Sequence, residues 1–207
     1  PITQTATSQY KLMMHAGVPA KTVKELVAYA KANPCKLNYA SAGIASPLHL
    51  AAELFKSRAG VDIVHIPFKG GGPAAAALLS GEAQLSFSNV ASSLDHIKAG
   101  RLRALAVTGL TRSSLAPELP TLHESGYPGY SVTSWHALLT ANGTPQPIVR
   151  RIHDAAVSVI KIPDVARLMN NAGYEPTGTS SQELMDMMRT ETKVWAKVVK
   201  DANIKAD

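Results

Sequence analysis

VDIVHIPFKGGGPAAAALLSG, residues 61–81, passes from a β-branched apolar segment through three consecutive glycines into an alanine-rich stretch. Valine and isoleucine favour a strand, Pro73 suits a helix opening and Gly81 a helix stop, so the stretch predicts strand, turn and helix. The same order recurs on both sides. Upstream, Thr22 and Glu25 have capping-box spacing ahead of a helix with Val23, Leu26, Val27 and Ala30 on one face. KLNYAS (36–41) is a short strand, and the next helix has Ser46 as N-cap, Pro47 at its first position, Gly60 past its end and Leu48, Ala51, Ala52 and Phe55 as its inner stripe. Downstream, strands in QLSFSN (84–89) and LRALAVTG (102–109) flank a short helix in ASSLDHIKAG (91–100). Alternating, near-continuously apolar strands and helices argue for right-handed βαβ units and a parallel sheet covered on both faces.

After Gly109 the texture turns Pro/Gly/Ser-rich, TRSSLAPELPTLHESGYPGY (111–130), with a small TLHESG helix of Thr-x-x-Glu spacing; a lobe boundary is expected here. A strand in YSVTSWHALLTAN (130–142) leads to a helix from Thr144 carrying Val149, Ile152, Ala156, Val159 and Ile160 on one face. PDVARLMNNAG (163–173) is a shorter helix and YEPTG (174–178) a short strand. The terminal helix is capped by Ser180 and Glu183, and Leu184, Met187, Met188, Glu191, Val194, Trp195 and Val198 form its stripe. This part supplies mostly helices and wants a sheet to lean on.

Composition narrows the function. The 207 residues suit one large domain or two small lobes, and no apolar run reaches the ~18 residues of a membrane span. The net charge of +6 comes from scattered residues, and aromatics make up only 5%, so neither a basic footprint nor a stacking platform for nucleic acid is present. Cys35 alone excludes an internal disulfide framework and a paired CxxC zinc site, and it is given no role. The seven histidines show no HExxH spacing, GxSxG is absent, and neither GxxxxGK[ST] nor GxGxxG occurs. His49 and Glu53, at i and i+4, could ligate a metal, but such a pair is commonplace on helices. No catalytic residue, metal or cofactor is expected.

Two turns remain. SAGIAS (41–46) and KGGG (69–72) each join a strand to a helix. Glycine lets consecutive amides approach a ligand and form an anion-holding nest beyond the carboxyl ends of the strands. Such turns cradle negative oxygens, most simply a carboxylate. Without acid, base or nucleophile beside them, they point to holding a molecule.

These turns also carry a resemblance. NYASAG (38–43), HLAAELFKSRAGVDIVHIPFKGGGPAAAALLSGEAQLSFSN (49–89), HIKAGRLRALAVTGLTRS (96–113), PELPTLHESGYPGY (117–130), SWHALLTANGTP (134–145) and WAKVVKDANIK (195–205) together resemble the tripartite tricarboxylate transporter substrate-binding receptors, the Bug or TctC-like family. The resemblance implies a periplasmic receptor of type II binding-protein architecture, two α/β lobes closing on a small carboxylate that is delivered to membrane permease subunits. It places the ligand on Ser41, Ala42, Gly43 and Ser46 of the first turn and on Lys69, Gly70, Gly71 and Gly72 of the second. Asn89 stands where many relatives carry Asp, and Trp135 lies near the crossing between lobes. It divides the chain into a crossing segment at 1–15, a complete α/β ligand-binding lobe at 16–125, and a crossing strand with helices of the other lobe at 126–207. That other lobe is expected to be incomplete, because family members carry a leading strand, loop and helices before this stretch. Two rival readings keep the fold: a sensor docking on a membrane signalling protein, and a small enzyme using His49 or His65 as base.

Overall fold

The computed structural model describes residues 1–89 and 94–205. Its elements, in chain order, are β1 (Thr3–His15), α1 (Val23–Ala32), β2 (Asn38–Ser41), α2 (Pro47–Ala59), β3 (Val64–Pro67), α3 (Gly71–Ser80), β4 (Leu85–Asn89), α4 (Leu94–Lys98), β5 (Leu102–Val107), β6 (Thr133–Leu138), α5 (Gln146–Ile160), α6 (Pro163–Asn171), β7 (Glu175–Pro176) and α7 (Ser181–Asp201). They divide into two compact units, the first formed by residues 1–8 and 133–196 and the second by residues 9–132 and 197–207.

The second unit is a sheet in the order β3-β2-β4-β1-β5. β2 pairs in parallel with both β3 and β4, as the alternating pattern predicts. β1 departs from that prediction, running antiparallel to β4 and to β5, so the sheet is mixed and parallel only in its β3-β2-β4 part. The opening stretch, expected to cross between lobes, is a strand of 13 residues. One face of the sheet carries Leu12, Tyr39 and Phe87, with Phe55 of α2 packed edge-on against Phe87 at 6.3 Å. The other carries Met13 against Leu78 of α3 and Leu102, and Ala40 against Ala74 and Ala77 of the same helix.

The helix boundaries follow their caps. Thr22 accepts from the Glu25 amide at α1, Ser46 accepts from the His49 amide at α2, and Gly60 and Gly81 end α2 and α3 in the left-handed conformation. α3 opens at Gly71, two residues before Pro73, since the glycines themselves take up helical geometry. α5 begins after Pro145, while the Thr144 hydroxyl turns back to Thr140 and the Ala141 carbonyl. In TLHESG the capping pair forms, with Thr121 N–H to Glu124 and Glu124 N–H to Thr121 Oγ1 both at 2.9 Å, but it closes a single turn and no helix follows. The Pro/Gly/Ser-rich connection stays with the second unit as far as Val132. Leu122 and Tyr130 are fully buried, and the Tyr130 hydroxyl donates to the Ala51 carbonyl at 2.7 Å.

In the first unit β6 and β7 pair with the opening half of β1. α7 starts at the expected capping box, with Ser180 N–H to Glu183 at 2.7 Å and Glu183 N–H to Ser180 Oγ at 3.2 Å. Leu184 is buried, whereas Ile152, Val159 and Val194 of the expected stripes are at least 38% exposed.

Candidate functional site

Because β2 and β3 are parallel and in register from Asn38↔Val64 to Ser41↔Pro67, the two glycine turns leave the sheet side by side. Their pairing continues beyond the strands. Phe68 N–H donates to the Ser41 carbonyl at 3.0 Å and Gly70 N–H to the Ala42 carbonyl at 3.2 Å. Gly43 (φ 130°) and Gly70 (φ 108°) occupy backbone conformations closed to most L-residues, which is why these positions are glycine.

The two turns use their polar groups differently. In the first, Ser41 Oγ donates to the Gly43 carbonyl at 3.0 Å and accepts from the Gly43 amide at 3.2 Å, Ala45 N–H donates to His49 Nδ1, and Ser46 Oγ caps α2. The second turn ends at α3, which has no side-chain cap. Gly71 and Gly72 form its first turn, where amides lack intrahelical acceptors and the helix dipole favours negative charge. Without Cβ atoms, these two amides are open to close approach, while the Gly43 and Gly70 amides hold the turns together.

Beneath the first turn lies a group that sequence reasoning met only as separate residues. His65 of β3 stacks between Tyr39 of β2, with ring centroids 4.7 Å apart, and His49 of α2, at 3.9 Å. His65 Nε2 and Ser41 Oγ share a 2.6 Å hydrogen bond, in which Nε2–H donates while the hydroxyl proton goes to the Gly43 carbonyl. Glu53 of α2 closes the cluster, accepting from the Tyr39 hydroxyl at 2.6 Å and from Lys56 Nζ at 2.8 Å. Burial pushes His65 down to about 4, with a like charge on His49 adding to the effect, and burial likewise lowers His49. Burial, reinforced by Glu53, raises the Tyr39 phenol. Ser41 has no exposed surface, so its contact with His65 sets the turn and gives no approach to a substrate electrophile. The signal was the register: Tyr39 and His65 are opposite one another across β2 and β3.

A cavity of about 600 Å³ in the second unit gathers Gly71, Gly72 and Asn89 with Pro47 and Leu48 at the start of α2. Lys69 is exposed on the approach to α3. Trp135 belongs to the first unit, half-buried, with its indole N–H donating to Glu191 at 2.8 Å. Another cavity, of about 510 Å³, lies in the first unit beside Asn142, Gly143 and Arg189 and includes none of the predicted residues. Among the described residues no cluster of three His, Cys, Asp or Glu could hold a metal, and no helix is long and apolar enough to cross a membrane.

The family model described as tripartite tricarboxylate transporter family receptor matches residues 1–204. The chain belongs to that family. The UPF0065 protein in the tcbD-tcbE intergenic region of Pseudomonas sp. (strain P51) is 33% identical over 208 residues, covering 100% of this chain and 62% of that protein. The chain thus spans about three fifths of the length of such curated relatives. Among solved structures, Rpa4515 of R. palustris with adipate superposes with a TM-score of 0.84 at 32% identity, covering 99% of this chain and 68% of that one. MatC from Rhodopseudomonas palustris with bound malate gives 0.77 at 25% identity, covering 96% and 69%. The mixed α/β architecture with its parallel β3-β2-β4 part is therefore that of a receptor family with carboxylates bound in solved members.

Proposed function

We propose that this chain is the carboxylate-holding part of a periplasmic solute receptor that hands its ligand to a membrane permease. The carrying observation is the uncapped α3 N-terminus, whose Gly71 and Gly72 amides border a cavity large enough for a small organic acid. A carboxylate there receives backbone N–H groups and the positive end of the helix dipole, which asks for no titrating side chain. The first turn supports the second from beside it: Ala42 accepts from Gly70, and the His65–Ser41 contact fixes Gly43 in place. Adipate and malate in the two solved relatives support the choice of ligand class.

A thermal-shift series with small carboxylates and their uncharged amides tests the reading. At about 100 times the dissociation constant, a bound acid stabilises by about 2.7 kcal/mol, or roughly 5–10 °C for a chain of this size. Equal responses to acids and amides, or a clean melting transition that no acid moves, would overturn it.

A further inference from the structure

The cavity beside the glycine turn extends well past the amides. It follows α3 from Gly71 and Gly72 to Leu78 and Leu79, about 10 Å at the rise of a helix, with Phe87 and Leu102 also in its wall. Among the described residues no lysine, arginine, aspartate or glutamate lines it. His96 is its one titratable ring besides Tyr10, and His96 Nδ1 is already engaged by the Arg101 guanidinium at 2.7 Å.

From this we infer that the ligand is a monocarboxylic acid of medium length, its head on the Gly71 and Gly72 amides and its apolar tail along α3. The inference rests on the carboxylate reading above and narrows its substrate class. A second carboxylate carried at the far end would enter a wall of Leu78, Leu79 and Leu102, losing its hydration with no cation to meet it. An apolar tail gains at every methylene.

Isothermal titration of this chain with butanoate, hexanoate and octanoate, and with adipate as the diacid of hexanoate's length, separates the possibilities. The dissociation constant is expected to fall about fourfold per buried methylene, and hexanoate to bind more tightly than adipate. Ala75 borders the cavity from an exposed position on α3, so Ala75→Trp can obstruct it without disturbing the core; the variant is expected to melt like the parent and to flatten the chain-length series. A flat series in the parent, or a preference for adipate, overturns the tail assignment and leaves carboxylate capture standing. No binding by any of the four acids overturns both.

Discussion

His65 shows how much one side chain does beneath the first turn. It stacks on Tyr39 and His49 and bonds the serine that holds Gly43, so its neutral form is built into the folded chain. Its folded value of about 4 lies below the ordinary histidine value near 6.5. Stability from the neutral ring is fully present above 6.5. As pH falls from there towards 4, the unfolded chain takes up a proton that the folded chain refuses, and stability is lost across that window. Tyr39, His49, Glu53 and Lys56 are the titratable groups facing the ring, Glu53 opposing the shift and Lys56 adding to it. Melting curves between pH 7 and 4 should therefore fall more steeply for the parent than for His65→Gln, which keeps a hydrogen-bonding group near Ser41 and removes the titration. Parallel curves would show that the ring carries no linkage. The sequence displayed His65 as an alternating strand residue; its bond to Ser41 was out of reach because it depends on the pairing of β2 with β3.

Among the elements, β1 was the hardest to read. Its opening run TQTATSQYK has no apolar alternation, yet Thr3, Gln4, Ser8, Gln9 and Lys11 are all buried. Among these side chains, Thr3 Oγ1 donates to the Thr179 carbonyl at 2.7 Å, and Gln9 spans the Gly109 amide and the Thr111 carbonyl. A strand buried through hydrogen bonds leaves no hydrophobic period, and its antiparallel partners β4 and β5 lie far away in sequence. By contrast, α1, α2, α3 and α7 were legible because caps and glycine stops are local chemistry. The same local signals marked the Gly71–Gly72 amides, whereas the cavity beyond them needed α3, β4 and Leu102 brought together. Thr108 gives a test of how β1 is fastened. Its buried hydroxyl accepts from the Tyr10 amide at 2.9 Å and donates to the Val132 carbonyl at 2.6 Å. Thr108→Val strands both partners and should lower stability by about 2–3 kcal/mol in urea unfolding, with an unchanged m-value. A loss below about 0.5 kcal/mol would mean that the two groups find other partners.

At the scale of the whole molecule, the lobe boundary expected after residue 125 stands beside two compact units that divide between Val132 and Thr133. The Pro/Gly/Ser-rich texture after Gly109 reads as a linker, while buried Leu122, Tyr130 and Val132 bind it into the second unit. Composition reports chain flexibility, and burial of a few large side chains within such a stretch outweighs it. The way the units share the chain has a temporal consequence. Most of the second unit is one continuous run, 9–132, whereas the first joins residues 1–8 to residues 133–196. As the chain folds, the continuous run can begin to consolidate while residues 1–8 still await partners more than a hundred positions away. Closing so long a loop is also the slower event in refolding. Pulse-labelled hydrogen exchange should find amides of β2, β4 and β5 protected before those of β6 and β7; simultaneous protection would mean that both units consolidate in a single step. A folding chain would then hold its glycine turns in place while residues 1–8 are still waiting to be paired.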